Sequence, residues 1–341
     1  MILAGDIGGT KTLLGLFDPE TPSALPRLLR SYPSRDSPSL ESVLSQFLGE
    51  ARPLFPEASI QAAAFGVAGP VIAGRCQTTN LPWLIETTTL AKVLTLPPHA
   101  VALANDLVSI AWGTTAATAD SLRTINEGSP DPQGTRVVIA PGTGLGEAII
   151  GMHKGTPVPL PTEGGHSDWA PTCAEEIPLL EWLWEKFGHA SPERLLSGPG
   201  IAHLYHFHLH TLPPDQQPLP ADLPDEKIPE ALSRKAQEGN PVALAVMGHF
   251  WKLLAAEAGN MALKTLSTGG VILAGGIPEK VFPFLDQKEF MESFTAKGRY
   301  RDLLSKIPVR IASDPDIGLK GAAEIARRLS RLTGESERSS L

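Results

Sequence analysis

Cysteine is scarce. The 341 residues hold two, Cys76 and Cys173, too few and too far apart for a disulfide framework, and neither sits at metal-ligand spacing. Both are expected to be small buried hydrophobes in a reducing compartment. Long apolar runs are absent: nothing approaches the ~18 residues a membrane helix needs, and the N-terminus lacks a basic region followed by an apolar stretch. No membrane partner is expected, and the reading is a cytoplasmic protein. Excess positive charge is missing too. Lys plus Arg is 29 against 37 for Asp plus Glu, a net charge of -8. That disfavours nucleic acid and anionic membranes as main partners, but not a phosphorylated ligand, because a local site can be positive on an acidic protein.

Hydrophobic residues make up 42% of the chain, ample for a packed core. At roughly 150 residues per domain the length suggests about two domains. Glycine and proline number 32 each, and the glycines cluster at strand ends, where α/β proteins place ligand loops.

Two apolar runs flank Gly-Asp-Ile-Gly-Gly-Thr at 5–10, which predicts a β-hairpin at the start. Further strands are expected over 61–67, 100–104, 137–140, 148–150, 270–274 and 309–312. Helices are expected after Ser37-Pro38, after Asn105-Asp106, over 175–187, over 241–266 and over 319–329. The opening pattern recurs: aligning Ala4 with Ala140 matches strand, Gly-rich turn and strand, which points to two similar domains. The predicted boundaries are 1–111 plus 313–333 for a small α/β domain and 112–312 for a large one. Residues 211–229 read as a proline-rich surface loop and 334–341 as a disordered tail.

Five constellations can carry chemistry. Asp6, Gly8, Gly9, Thr10 and Lys11 form a turn whose backbone N–H groups can approach phosphate oxygens, with an Asp suited to Mg²⁺; an ordinary Gly-turn hairpin has the same residues. Gly142, Thr143 and Gly144 repeat that logic, so that two loops would grip one polyphosphate. Neither is a P-loop, 142–146 is one residue short of the dinucleotide fingerprint, and the protein-kinase triplets are absent. Asp106 follows a buried strand and opens a helix, with the donor and acceptor of Asn105 beside it; a helix cap fits equally well. Glu163, His166 and Glu193 are residue types that read sugar hydroxyls, 163–166 being also a plain polar turn. Gly275 and Gly276 end an apolar strand, where a flat adenine ring can lie against backbone; a tight strand-to-helix turn is the alternative. The crowd of His203, His206, His208 and His210 lacks a carboxylate or Cys at ligand spacing and reads as a half-exposed helix end rather than a metal site.

In combination, GDIGGTKT (5–12), FGVAGPV (65–71), LANDL (103–107), APGTGLG (140–146), EGGHSDWAP (163–171), ERLLSGPG (193–200) and GVILAGGI (270–277) resemble the bacterial glucokinase family, ATP-dependent kinases of the actin-like, hexokinase-like superfamily. The segments stand in the family's order. The related zinc-containing sugar kinases carry a C-x-C-G-x-x-G-C motif that two distant cysteines cannot form.

The resemblance implies an α/β fold of two actin-like (ribonuclease H-like) domains with a cleft between them, and a homodimer. It implies transfer of the γ-phosphoryl of ATP to the C6 hydroxyl of D-glucose. Asp106 is the implied general base, and Asn105, Asp106, Glu163, His166 and Glu193 the implied sugar ligands. Gly5, Asp6, Ile7, Gly8, Gly9, Thr10 and Lys11, with Gly142, Thr143 and Gly144, would hold phosphates and Mg²⁺, Asp6 being the metal ligand. Lys11 stands where some members have Asn. The alternatives are a kinase for fructose, mannose or an amino sugar, and a non-catalytic sugar-binding regulator on the same fold.

Overall fold

The computed structural model describes residues 1–21, 25–118, 121–210, 212–213 and 216–339. The chain divides into two compact units, Met1–Ser121 with Asp314–Leu341, and Leu122–Ser313.

The first unit opens with β1 (Ile2–Ile7) and β2 (Lys11–Phe17), followed by β3 (Leu28–Pro33). After α1 (Leu40–Ala51) come β4 (Ala62–Val67), the short hairpin β5 (Arg75–Gln77) and β6 (Leu84–Glu86), and α2 (Thr87–Leu94). Then β7 (Val101–Asn105) runs directly into α3 (Asp106–Thr115). The main sheet has the order β3-β2-β1-β4-β7. β1 pairs antiparallel with β2, and β2 with β3; β1 pairs parallel with β4, and β4 with β7. The apolar runs ILAGDI and AAAFGV show no alternation because both faces of this sheet are covered. Leu3, Ile7, Leu14 and Phe65 face Val43, Phe47 and Leu90 of α1 and α2.

The helix after Ser37-Pro38 starts later than expected. Ser39 is its cap, with an extended backbone and a hydroxyl that accepts the Ser42 N–H at 3.4 Å.

The second unit begins with β8 (Leu122–Asn126), β9 (Arg136–Pro141), β10 (Leu145–His153) and β11 (Thr156–Thr162). Four helices follow: α4 (Ile177–Phe187), α5 (Gly198–Leu209), α6 (Ile228–Gln237) and the long α7 (Pro241–Thr265). β12 (Gly270–Leu273), α8 (Gly276–Val281), α9 (Gln287–Thr295), α10 (Arg301–Leu304) and β13 (Val309–Ala312) complete it. Its sheet has the order β11-β10-β9-β12-β13-β8. α7 lays Val246, Phe250, Leu253, Leu254 and Met261 into a core with Val137, Ile139, Leu145, Val271 and Leu273.

Five strands of each sheet share one order and one set of directions: two antiparallel pairs, then two parallel ones. The recurrence read between Ala4 and Ala140 is therefore a structural one, and β8 is an addition at one edge of the second sheet.

The chain returns to the first unit as α11 (Ile317–Ser339). Leu319, Ala322, Ala323 and Ala326 cover the other face of that sheet, against Ile2, Ala4, Leu13, Phe17, Ala62 and Ala64. Two glycines make the helix contact between α3 and α11 possible. A Cβ on Gly113 would meet the Ile317 carbonyl oxygen, and one on Gly321 the Ser109 carbonyl oxygen.

Several expectations change. The chain divides after Ser121 and Ser313, whereas a boundary after Ala111 would cut α3. The backbone expected to be a disordered tail is helical through Ser339, and 340–341 lie outside the described residues. The loop expected over 211–229 holds a 3-10 turn at Asp225–Lys227 and the start of α6, and it buries Leu219; positions 211 and 214–215 lie outside the described residues. Cys76 is buried, but Cys173 is exposed.

Candidate active site

In the first unit the parallel strands β1, β4 and β7 end together. Ile7 pairs with Val67, and Val67 with Asn105. This carboxyl-terminal edge is where open α/β sheets bind ligands. Ile7 and Thr12 close a turn of Gly8, Gly9, Thr10 and Lys11, and the Gly8 N–H donates to the Lys11 carbonyl at 3.0 Å. Ser34 braces the turn: its hydroxyl donates to the Gly8 carbonyl at 2.7 Å, and its N–H to that of Thr10 at 2.9 Å. Asn80 flanks it, close enough that a Cβ on Gly9 would lie 2.6 Å from the Asn80 Cβ.

Two residues expected at this site have another role. Gly5 and Ile7 are buried within the sheet. A Cβ on Gly5 would sit 2.5 Å from Phe65 Cδ1 and 3.0 Å from Leu14 Cδ2, so Gly5 is a packing glycine. Thr10 and Lys11 are exposed.

The cap role read for Asp106 falls to its neighbour. Asn105 caps α3, its Oδ1 accepting the Leu107 N–H at 2.9 Å while its amide donates to the Gly69 carbonyl at 3.2 Å. That fixes Asp106 in the first turn of α3, where its Oδ1 also accepts the Leu107 N–H, at 2.9 Å. Asp6, at the end of β1, lies within the field of Asp106. Burial first, and then the charge of Asp106, push the Asp6 carboxyl up to about 6; Lys11 opposes and Asp316 adds to the rise.

α11 contributes residues that local sequence does not reveal. A Cβ on Gly318 would lie 3.3 Å from Asp6 Oδ2. Asp316 precedes it, in the segment Asp-Pro-Asp-Ile-Gly, and its signal was a Pro- and Gly-rich helix start. Among the described residues no three His, Cys, Asp or Glu side chains converge as a metal cage. A single carboxylate such as Asp6 is nevertheless the kind of group that could hold Mg²⁺, which takes few protein carboxylates and keeps its waters. A cation beside Asp6 would favour its ionised form against the burial and the Asp106 charge that raise its pKa.

In the second unit Pro141 and Leu145 close the matching turn of Gly142, Thr143 and Gly144. The Gly142 N–H donates to the Gly144 carbonyl at 2.8 Å, and the Gly198 N–H to that of Gly142 at 2.8 Å. A Cβ on Gly142 would meet nothing, and Thr143 is exposed, so this backbone is open to a ligand.

Glu193 binds the turn to the sugar-type residues. Its Oε2 accepts the Leu145 N–H at 3.0 Å, and its Oε1 lies 3.6 Å from His166 Nδ1. Glu163 and His166 are exposed at either end of a single 3-10 turn, the His166 N–H donating to the Glu163 carbonyl at 3.0 Å. Gly165 allows that turn to lie flat on β10, since a Cβ there would strike the Leu145 carbonyl oxygen.

Gly275 and Gly276 stand beside the same turn. Gly275 has φ 82°, and a Cβ on it would be 2.6 Å from the Pro141 carbonyl oxygen, whereas Gly276 faces open space.

The histidines are not grouped as a metal site. His203 is buried rather than half-exposed, with Nδ1 2.7 Å from the Arg194 carbonyl oxygen. His206 pairs with Asp225 at 2.8 Å, and His208 with His249 at 3.2 Å.

A family model described as Glucokinase matches residues 3–329. A glucokinase of Nostoc sp. is 36% identical over 96% of this chain and 99% of its own length. The chain belongs to the glucokinase family.

A second glucokinase, from Synechocystis sp., is 37% identical over 95% of this chain and 97% of its own. Among solved structures, a glucokinase from an Antarctic psychrotroph superposes with a TM-score of 0.83 at 28% identity, covering 96% of this chain and 98% of that one. The fold is thus the actin-like, hexokinase-like α/β fold of the glucokinases. Matches of this length take in both Gly turns, Asn105-Asp106, the Glu163–His166 turn and Glu193, so this family's members align with both units.

Proposed function

We propose that this chain is an ATP-dependent glucokinase, transferring the γ-phosphoryl of ATP to the C6 hydroxyl of D-glucose and releasing ADP and glucose 6-phosphate. The observation that carries the mechanism is the placement of Asp106: first turn of α3, held by the Asn105 cap, at the carboxyl edge of the sheet and in the field of Asp6.

Asp106 accepts the proton of the C6 hydroxyl as that oxygen attacks phosphorus. Proton transfer of this kind contributes typically about 10²–10⁴-fold. Asn105, Glu163, His166 and Glu193 bind the sugar hydroxyls; carboxylates accept from them, and the amide and imidazole both donate and accept. The N–H groups of the turns at 8–10 and 142–144 cradle phosphate oxygens. Gly276 leaves room for the adenine. Asp6 would hold Mg²⁺, which neutralises charge on the phosphates when bound. Lys11 lies near enough to influence Asp6 and adds a cation on the phosphate side.

Phosphoryl transfer leaves the protein mainly positioning and electrostatic work, which matches a site built of backbone turns and fixed carboxylates. Among the described residues no helix is long and apolar enough to cross a membrane. The free cysteines suit the cytoplasm, and we assign a homodimer there.

A coupled assay for glucose 6-phosphate tests the reading across glucose, fructose, mannose and glucosamine. Glucose is expected to give the highest kcat/KM. A higher value for another hexose reassigns the substrate, and glucose binding without ATP consumption makes the protein a regulator.

A further inference from the structure

Glu147 has no role in the mechanism above, and its position is unusual. Leu145, Glu147 and Ile149 alternate on one face of β10, the face that packs into the core under α7. Glu147 is 1% exposed, yet among the described residues neither carboxyl oxygen has a hydrogen-bond partner. A buried carboxylate without a partner is costly, so the acid is held neutral: burial and the nearby Glu257 push its pKa up to about 8.

Its neighbours are the sugar-binding turn. The Glu147 carbonyl accepts the Thr162 hydroxyl at 3.0 Å, and Thr162 Oγ1 in turn accepts the Gly164 N–H at 3.2 Å. The Glu147 carboxyl itself lies against Gly164, where a Cβ would strike Oε2. Two residues earlier on β10, the Leu145 N–H holds Glu193 and the Leu145 carbonyl supports Gly165. The start of β10 is therefore a platform under Glu163, His166 and Glu193, and Glu147 is its one ionisable part.

We propose that Glu147 is a positioning residue: its buried side chain sets the seat of Gly164 on β10 and so controls glucose affinity from beneath the Glu163–His166 turn. This rests on the assignment of Glu163 and His166 to the sugar.

The charges facing Glu147 decide what ionisation does. From α7 come Glu257 and Lys264. Glu257 already accepts from Asn260 at 2.9 Å, and Lys264 lies 4.0 Å from its Oε1. Asn260 is tied in turn to Lys297 at 2.7 Å. Lys264 of the helix, and Lys297 through Asn260, are thus engaged at Glu257. A negative charge at Glu147 would meet repulsion from Glu257 and gain little from Lys264, and it would push against the Gly164 turn that lies on its carboxyl. Glucose affinity then falls as pH rises through about 8, while nucleotide affinity changes less.

The test measures KM for glucose and for ATP, with kcat, from pH 6.5 to 9 in the wild type, Glu147→Gln and Glu147→Ala. The wild-type glucose KM is expected to rise about 3- to 10-fold, below the roughly 10²-fold that a 1 Å misplacement can cost. Glu147→Gln keeps shape without ionising; its glucose KM should match the wild type at pH 6.5 and stay flat. Glu147→Ala should have a raised glucose KM at every pH. The proposal is overturned if the wild-type KM does not rise, or if the rise persists in Glu147→Gln. Glu163→Ala at pH 7 separates the underlying reading: an unchanged glucose KM there removes the sugar assignment, whatever the Glu147 variants show.

Discussion

Asp106 has its carboxylate fixed by neighbours rather than by its own packing. The Asn105 cap sets the first turn of α3, and the shared Leu107 N–H ties both side chains to one point. Loss of that cap should therefore displace the carboxylate proposed as the base. Asn105→Ala is expected to cost about 1 kcal/mol of stability, visible as a lower urea midpoint, and to lower kcat and raise the glucose KM together. An unchanged kcat would show that Asp106 is placed without it. Glu147 supplies a second test at this scale. Its folded pKa, about 8, exceeds the ordinary 4.5, so between those values the folded state binds more protons than the unfolded one. Stability from this group is highest at low pH and falls as pH rises from about 4.5 to about 8. Glu147→Gln removes that slope, and urea melts at pH 5 and pH 8 should show the variant gaining on the wild type at the higher pH. Parallel pH dependence in the two proteins would contradict the buried acid. Asp6, Gly8–Gly9, Gly142–Gly144 and Asn105-Asp106 were legible in the sequence because each is a local pattern. Glu147, Asp316 and Gly318 were not: one reads as a polar residue in a strand, and the others matter only because α11 returns to Asp6.

At the scale of elements, glycines decide two contacts. β1 and β2 close on a four-residue turn that Ser34 braces from outside. α3 and α11 meet where Gly113 and Gly321 remove their Cβ atoms. Gly321→Ala should force the helices apart, costing about 1–3 kcal/mol as overpacking does, read as a lower urea midpoint. A midpoint equal to that of the wild type would mean the crossing is looser than described. Apolar periodicity revealed α7 to within a residue of its end, since Val246, Phe250, Leu253 and Leu254 recur on one face. It missed β3, β8 and β11. These edge strands are half solvent-exposed and carry prolines or charges, as in LLRSYP and TPVPLPT, so they lack the apolar run that marks a central strand.

On the scale of the whole molecule, the chain builds one topology twice and then closes the first copy with its last helix. Ile2, Ala4, Leu13, Phe17, Ala62 and Ala64 pack against Leu319, Ala322, Ala323 and Ala326 of α11. A chain ending at Ser313 should leave that face bare. Limited proteolysis is expected to cut within 1–121 while a fragment near 122–313 persists; survival of 1–121 would contradict this division of the core. The repeat was legible because both copies keep a Gly turn between apolar strands. The boundary was misplaced because α3, which looks like the start of something new, belongs to the sheet it leaves.

The most direct test of the account is Asp106→Asn, assayed for turnover with saturating glucose and ATP and, in parallel, for glucose binding by calorimetry. The account predicts a kcat lower by about 10²-fold or more, with the glucose Kd within a few-fold of the wild type. A variant that turns over at the wild-type rate, or one that no longer binds glucose, would contradict the role given to that carboxylate.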